Sequence, residues 1–143
     1  MTAQIEINDR FFPLVFVIFP SQASEAMVDD YAARLEATYK RGRFIGVSSI
    51  DNIIGSSPAL RKRLASRIDD LTTRYPGTVA CEAAIAKSAI VRGLFTAYSW
   101  IKSDKGYPSR CFGSFESAIV WAREEGAKVG LVVSADAHQL DSK

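Results

Sequence analysis

The sequence predicts an α/β domain: a mostly parallel, mixed sheet of about four to six strands, flanked by about four helices. Three observations predict it. Apolar runs of strand length alternate with longer stretches whose apolar residues recur every three or four positions. Serine caps open those longer stretches, and Gly or Pro closes them. No repeat, low-complexity segment or linker divides the 143 residues, so a single domain is expected.

Gln4 to Asn8 alternates polar and apolar and reads as a strand with one wet side, followed by a turn at Asn8-Asp9-Arg10. From Leu14 to Phe19 every residue is apolar, and β-branched and aromatic types dominate, the pattern of a strand covered on both faces. Pro13 and Pro20 bracket it, because neither can donate to a ladder. Ser21 or Ser24 caps the next helix, in which Met27, Val28, Tyr31, Leu35, Thr38 and Tyr39 share one side. Acids come early in this helix and bases late, which suits its dipole, and Gly42 closes it.

Phe44 to Ile50 is the second central strand. After it, Asp51-Asn52 and Gly55-Ser56-Ser57-Pro58 carry turn and cap chemistry, with Ser57 as the cap and Pro58 in the first helical turn. The buried stripe of that helix is Leu60, Leu64, Ile68, Leu71 and Tyr75. Thr78 to Ala86 is a strand rich in small residues. Ser88 caps a helix containing Ile90, Leu94, Ala97, Tyr98 and Ile101; Arg110 to Phe112 is a short edge strand; Ser114 caps a last helix with Phe115, Ala118, Ile119 and Ala122 inside. Lys128 to Val133 reads as one further strand, and residues 134–143 as a frayed polar tail, leaving an ordered body of about 4–133.

Composition narrows the function classes. Hydrophobic residues make up 48% and charged residues 24%, and the net charge of +2 is too small to call for nucleic acid or an anionic membrane. The N-terminus has no basic stretch and the longest apolar run is far short of a membrane span, so a cytoplasmic protein without a transmembrane segment is expected. Cys81 and Cys111 stand in apolar runs and read as core residues. Two Cys and one His do not make a four-ligand zinc site without carboxylates, and no metal or cofactor is expected. A serine nucleophile needs a positioned base, and the sole histidine, His138, stands in the tail. A non-enzymatic protein follows as the expectation.

The element order, the strand ending at Asp51, the Ser-rich turn Gly55-Ser56-Ser57-Pro58 and the late run Phe112, Ser114, Ala118, Trp121 resemble the STAS family, in particular its small SpoIIAA-like members found as stand-alone bacterial proteins. The resemblance covers about residues 4 to 125. It implies a STAS-like sheet and a regulatory role in which a partner kinase phosphorylates a serine of the turn. Ser56 and Ser57 take that place here, although Gly55 replaces the acidic residue before the serines and Pro58 the glycine after them.

The candidate surface therefore lies around Ser48, Asp51, Asn52, Ser56, Ser57, Arg61, Lys62 and Arg67, as a docking site for a protein partner, regulator or kinase. Phosphate on Ser56 or Ser57 would meet free backbone N–H groups and the helix dipole, and Arg61 if it reaches back. A bland reading stands beside each: the serines as caps, Asp51 as a turn former, the basic run as a solvated face. Glu82, mid-strand, either faces water or pairs with a base such as Lys87 or Arg92. Phe95, Tyr98, Trp100 and Trp121 form either core or contact surface. Val129, Leu131 and Val133 are the candidate strand edge of a homodimer. The alternative function is a binder of a small lipophilic or nucleotide ligand, in a pocket between the sheet and the helices.

Overall fold

The computed structural model describes residues 4–54, 56–93 and 106–142. Five strands form one mixed sheet in the order β1 (Glu6–Phe11), β2 (Leu14–Ile18), β3 (Phe44–Ser49), β4 (Val79–Ile85) and β5 (Ser109–Phe112). Only β1 runs antiparallel, against β2; the pairs from β2 to β5 are parallel. The described helices are α1 (Glu25–Arg41), the short α2 (Asp51–Ile54), α3 (Pro58–Arg74), and α4 (Phe115–Ala127), with a terminal 3-10 helix over Ala135–Ser142. Residues 89–93 are also helical.

The strand order explains the layers. A parallel sheet that grows strand by strand in one direction, through right-handed crossovers, puts every crossover helix on the same face. So α1 and α3 lie together over Val15, Val17, Phe44 and Ala84, with Val28, Tyr31, Leu35, Leu60 and Leu71 between the layers. The other face needs a different cover. It comes from α4, which follows the last strand and crosses back over β4 and β3, with Phe115, Ala118, Ile119 and Ala122 packed on Leu14, Phe16, Ile45 and Val47.

Four sequence expectations change. The turn at Asn8-Asp9-Arg10 is a register shift inside β1, and the reversal comes at Phe12–Pro13, where Phe12 N–H donates to Asp9 O at 3.0 Å. Lys128 to Val133 is not a strand. Glycine at 130 adopts a φ of 80°, and the N–H groups of Val129 and Leu131 both donate to Gly126 O, at 3.0 and 2.9 Å, so the segment is a helix-ending turn. It folds Leu131 and Val133 onto the sheet and leaves Val132 82% exposed, so it presents no ladder to a second copy. Nor is the tail frayed: Ala137 and Leu140 are buried beside Val133, and the Arg123 guanidinium holds Val133 O and Ser134 O at 3.1 and 2.9 Å. The fourth change concerns Glu82, taken up below. Phe95, Tyr98 and Trp100 lie outside the described residues; Trp121 is half-buried, its ring 5.5 Å from that of Phe112.

Candidate functional site

All four parallel strands end at one pole, and each is followed there by a serine-capped helix. Ser24 Oγ accepts from Met27 N at 3.2 Å, Ser57 Oγ from Leu60 N at 3.2 Å, Ser88 Oγ from Val91 N at 3.3 Å and Ser114 Oγ from Ser117 N at 3.2 Å. Each cap satisfies a backbone donor that the helix itself cannot. The pole thus gathers the positive ends of several helix dipoles, at the edge where open α/β sheets place their sites.

Short polar side chains after β3 tie the neighbouring loops together. The Asp51 carboxylate accepts from Lys87 N at 3.0 Å and Ser88 N at 3.3 Å, joining the β3 exit to the β4 exit. On the other side Asn52 Nδ2 donates to Phe19 O at 2.9 Å, joining it to the β2 exit. The Arg92 guanidinium donates to Ala86 O at 2.7 Å and Lys87 O at 3.1 Å. A Cβ added at Gly113 would sit 3.0 Å from that guanidinium, so the β5 exit passes close against it. The exits of β2, β3, β4 and β5 are therefore one contiguous surface.

The predicted residues divide on this frame. Asp51, Asn52, Ser56, Ser57 and Arg61 come together; Arg61 does reach back, its guanidinium donating to Ser56 O. Lys62 is exposed one residue further along α3. Ser48 stands apart, half-buried on the sheet face toward α1 and α3 and paired with Ala84 of β4. Arg67 is also elsewhere, about 14 Å along the helix axis from Pro58. It joins Arg63 on the carboxylate of Asp29 in α1, at 3.1 and 2.7 Å, so it belongs to the seam between the helices. Those two guanidinium groups, Arg63 first, hold the Asp29 carboxyl down at about 2.

Sequence reasoning missed two features. Glu82 pairs with neither Lys87 nor Arg92: Tyr107 Oη donates to its carboxylate at 3.2 Å. The signal was a lone acid in the middle of an apolar strand. A shallow, open groove of about 500 Å³ lies between β5 and α4, lined in part by Arg110, Phe112, Val120 and Trp121. No sequence pattern marked it, because its walls come from two separate elements.

Among the described residues no group of three or more His, Cys, Asp or Glu is placed to hold a metal ion, and no helix is long and apolar enough to cross a membrane. Fold and pole together define a five-stranded mixed α/β domain whose loops after the parallel strands are tied into one face. No family model, curated protein or solved structure matches the chain.

Proposed function

We propose that the chain is a non-enzymatic regulatory module that docks a protein partner on the pole formed by Asp51, Asn52, Ser56, Ser57, Arg61 and Lys62. The supporting observation is the tying of the β2, β3 and β4 exits by Asp51 and Asn52, which gives a rigid platform with exposed Ser57 at its rim. A preorganised surface loses little conformational freedom on binding. The STAS-like sequence pattern supports the regulatory part of the reading, as does the position of Ser57 at the positive end of a 17-residue helix.

A phosphoryl group on Ser57 would add about two negative charges within reach of Arg61 and of the first-turn N–H groups of α3. That would favour the phosphorylated pole in the free protein and repel an acidic partner surface. The test is affinity capture from native cells with wild type, Ser57→Asp and Arg61→Glu as baits, with mass spectrometry of the captured proteins and of Ser56 and Ser57. The reading requires a partner retained by wild type and lost by at least one variant. Identical captures from all three baits would sink it.

A further inference from the structure

Among the described strands β5 has a neighbour on one side only. Pro108 O accepts from Glu82 N and Phe112 O from Ala86 N, both at 2.9 Å, so the backbone groups of Pro108, Arg110 and Phe112 are turned toward β4. Those of Ser109 and Cys111, which alternate with them, are turned outward. Among the described residues nothing bonds to these outward groups. A strand edge of this kind is a template for a further strand.

Beside that edge runs the groove between β5 and α4. Arg110 and Phe112 form its β5 wall, and Glu116, Val120, Trp121 and Glu124 line it from α4. Glu116, Val120 and Glu124 follow one another at four-residue spacing, which stacks them along one flank of the helix. All three are exposed, Val120 at 49%. Among the described residues no basic side chain pairs with Glu116 or Glu124. Arg110 turns its guanidinium onto the Phe112 ring, 5.5 Å from its centre. An apolar patch of Phe112, Val120 and Trp121 thus lies between two exposed acids.

The spacing selects an occupant. Glu116 and Glu124 are eight residues apart, roughly 12 Å along a helix axis. In an extended chain, residues i and i+4 are roughly 13 Å apart and share a face with i+2. We propose that β5 and this groove bind an extended segment of a partner protein, with Lys or Arg at i and i+4 and an apolar side chain at i+2. Its backbone pairs with Ser109 and Cys111, its apolar side chain packs on Phe112, Val120 and Trp121, and its two cations meet Glu116 and Glu124. An acidic segment would face both carboxylates. The whole chain carries +2, so a preference for a basic segment is set locally, by these acids. The site shares no residue with the partner-binding pole and stands without that reading.

The test is an NMR titration of the full chain with two end-capped peptides, Thr-Lys-Thr-Ile-Thr-Lys-Thr and Thr-Glu-Thr-Ile-Thr-Glu-Thr. The lysine peptide should give saturable amide shifts at Ser109, Cys111, Val120 and Trp121, with a Kd on the order of 0.1–1 mM, the range open to so few contacts. The glutamate peptide should bind at least about ten-fold more weakly at low salt. With the lysine peptide at about ten times its Kd, amide hydrogen exchange at Ser109 and Cys111 should slow about ten-fold. Exchange at Arg110 and Phe112, whose groups face β4, should change little. Replacing both acids, Glu116→Lys with Glu124→Lys, alters exposed positions only and should reverse the preference between the peptides. Equal binding of the two peptides, shifts that spare β5 and α4, exchange without the alternation, or an unreversed preference in the folded double variant would each overturn the proposal. So would movement of the same signals when the protein alone is concentrated, which would give the edge to a second copy. The wild-type comparison decides the matter even if the double variant fails to fold.

Discussion

At the scale of single residues, Asp51 and Gly126 each do something that a neighbouring residue type could not. Asp51 has the short acceptor-only side chain needed to hold two successive N–H groups, those of Lys87 and Ser88, from the next loop. Asp51→Ala leaves both donors to water and should lower stability by about 1.5–3 kcal/mol, a typical loss for hydrogen bonds to a charged acceptor. Amide hydrogen exchange at Lys87 and Ser88 should accelerate more than elsewhere, which separates loop release from general weakening. Gly126 is buried in the last turn of α4, and a Cβ there would collide with Ile45 Cδ1 and crowd Leu131 O at 3.3 Å. Gly126→Ala therefore destabilises by about 1–3 kcal/mol although Ala is the better helix former. Ile45→Val removes the colliding methyl. In denaturant melts the double variant should cost less than the two single changes added together.

At the scale of elements, α1 and α3 are joined by apolar packing and by a row of ion pairs. Arg63 and Arg67 meet Asp29, and Arg74 meets Glu36 at 2.7 Å, with Tyr75 Oη donating to the same carboxylate at 2.6 Å. Tyr75 first, then Arg74, lowers the Glu36 carboxyl. The pairs are largely exposed, so their individual contributions are small. Their pH signature is nonetheless definite. A carboxyl lowered in the folded state gives stability that is present above its unfolded value, near 4, and lost as the pH falls through its folded value. For Asp29 that window runs from about 4 down to about 2. Asp29→Asn should flatten the fall of the urea midpoint across this window relative to wild type; parallel curves would remove Asp29 from the acid response.

These helices, with β2, β3, β4 and β5, are legible in the sequence because periodicity and caps agree there: Ser57 and Ser114 each cap the helix they were expected to start, and of the two candidates Ser21 and Ser24 it is Ser24 that caps α1. Lys128 to Val133 misleads because an apolar run carries no signal of direction. Val132 and Val133 are adjacent and equally apolar, yet one is 82% exposed and the other 7%. Only the reversal at Gly130 sorts them. At the candidate site, the caps could be read from local spacing. The ties from Asp51 to Lys87 and from Asn52 to Phe19 span 36 and 33 residues, and the Glu82–Tyr107 bond spans 25, which no local pattern encodes.

At the scale of the whole molecule, the direction of sheet growth decides what the C-terminus must do. Crossovers of one hand load α1 and α3 onto one face, and among the described residues the 13-residue α4 is left to cover the other. It packs mainly on β4 and β3 and touches β2 through Phe115, whose ring lies 5.3 Å from that of Phe16. Val133, Ala137 and Leu140 complete that apolar layer, and Arg10 Nη2 ties Gln139 to β1 at 3.4 Å. Ala137 and Leu140 are thus part of the core, and the polar residues around them hide it: these two lie three apart on a 3-10 turn, whose side chains repeat every three residues. Leu140→Ala should lower the unfolding free energy by about 2–4 kcal/mol, the range for truncating a buried leucine. His138→Ala, on the exposed side of the same turn, should change it by less than about 0.5 kcal/mol. A guanidinium unfolding curve for each variant decides the matter, since a loose tail would make Leu140→Ala as silent as His138→Ala.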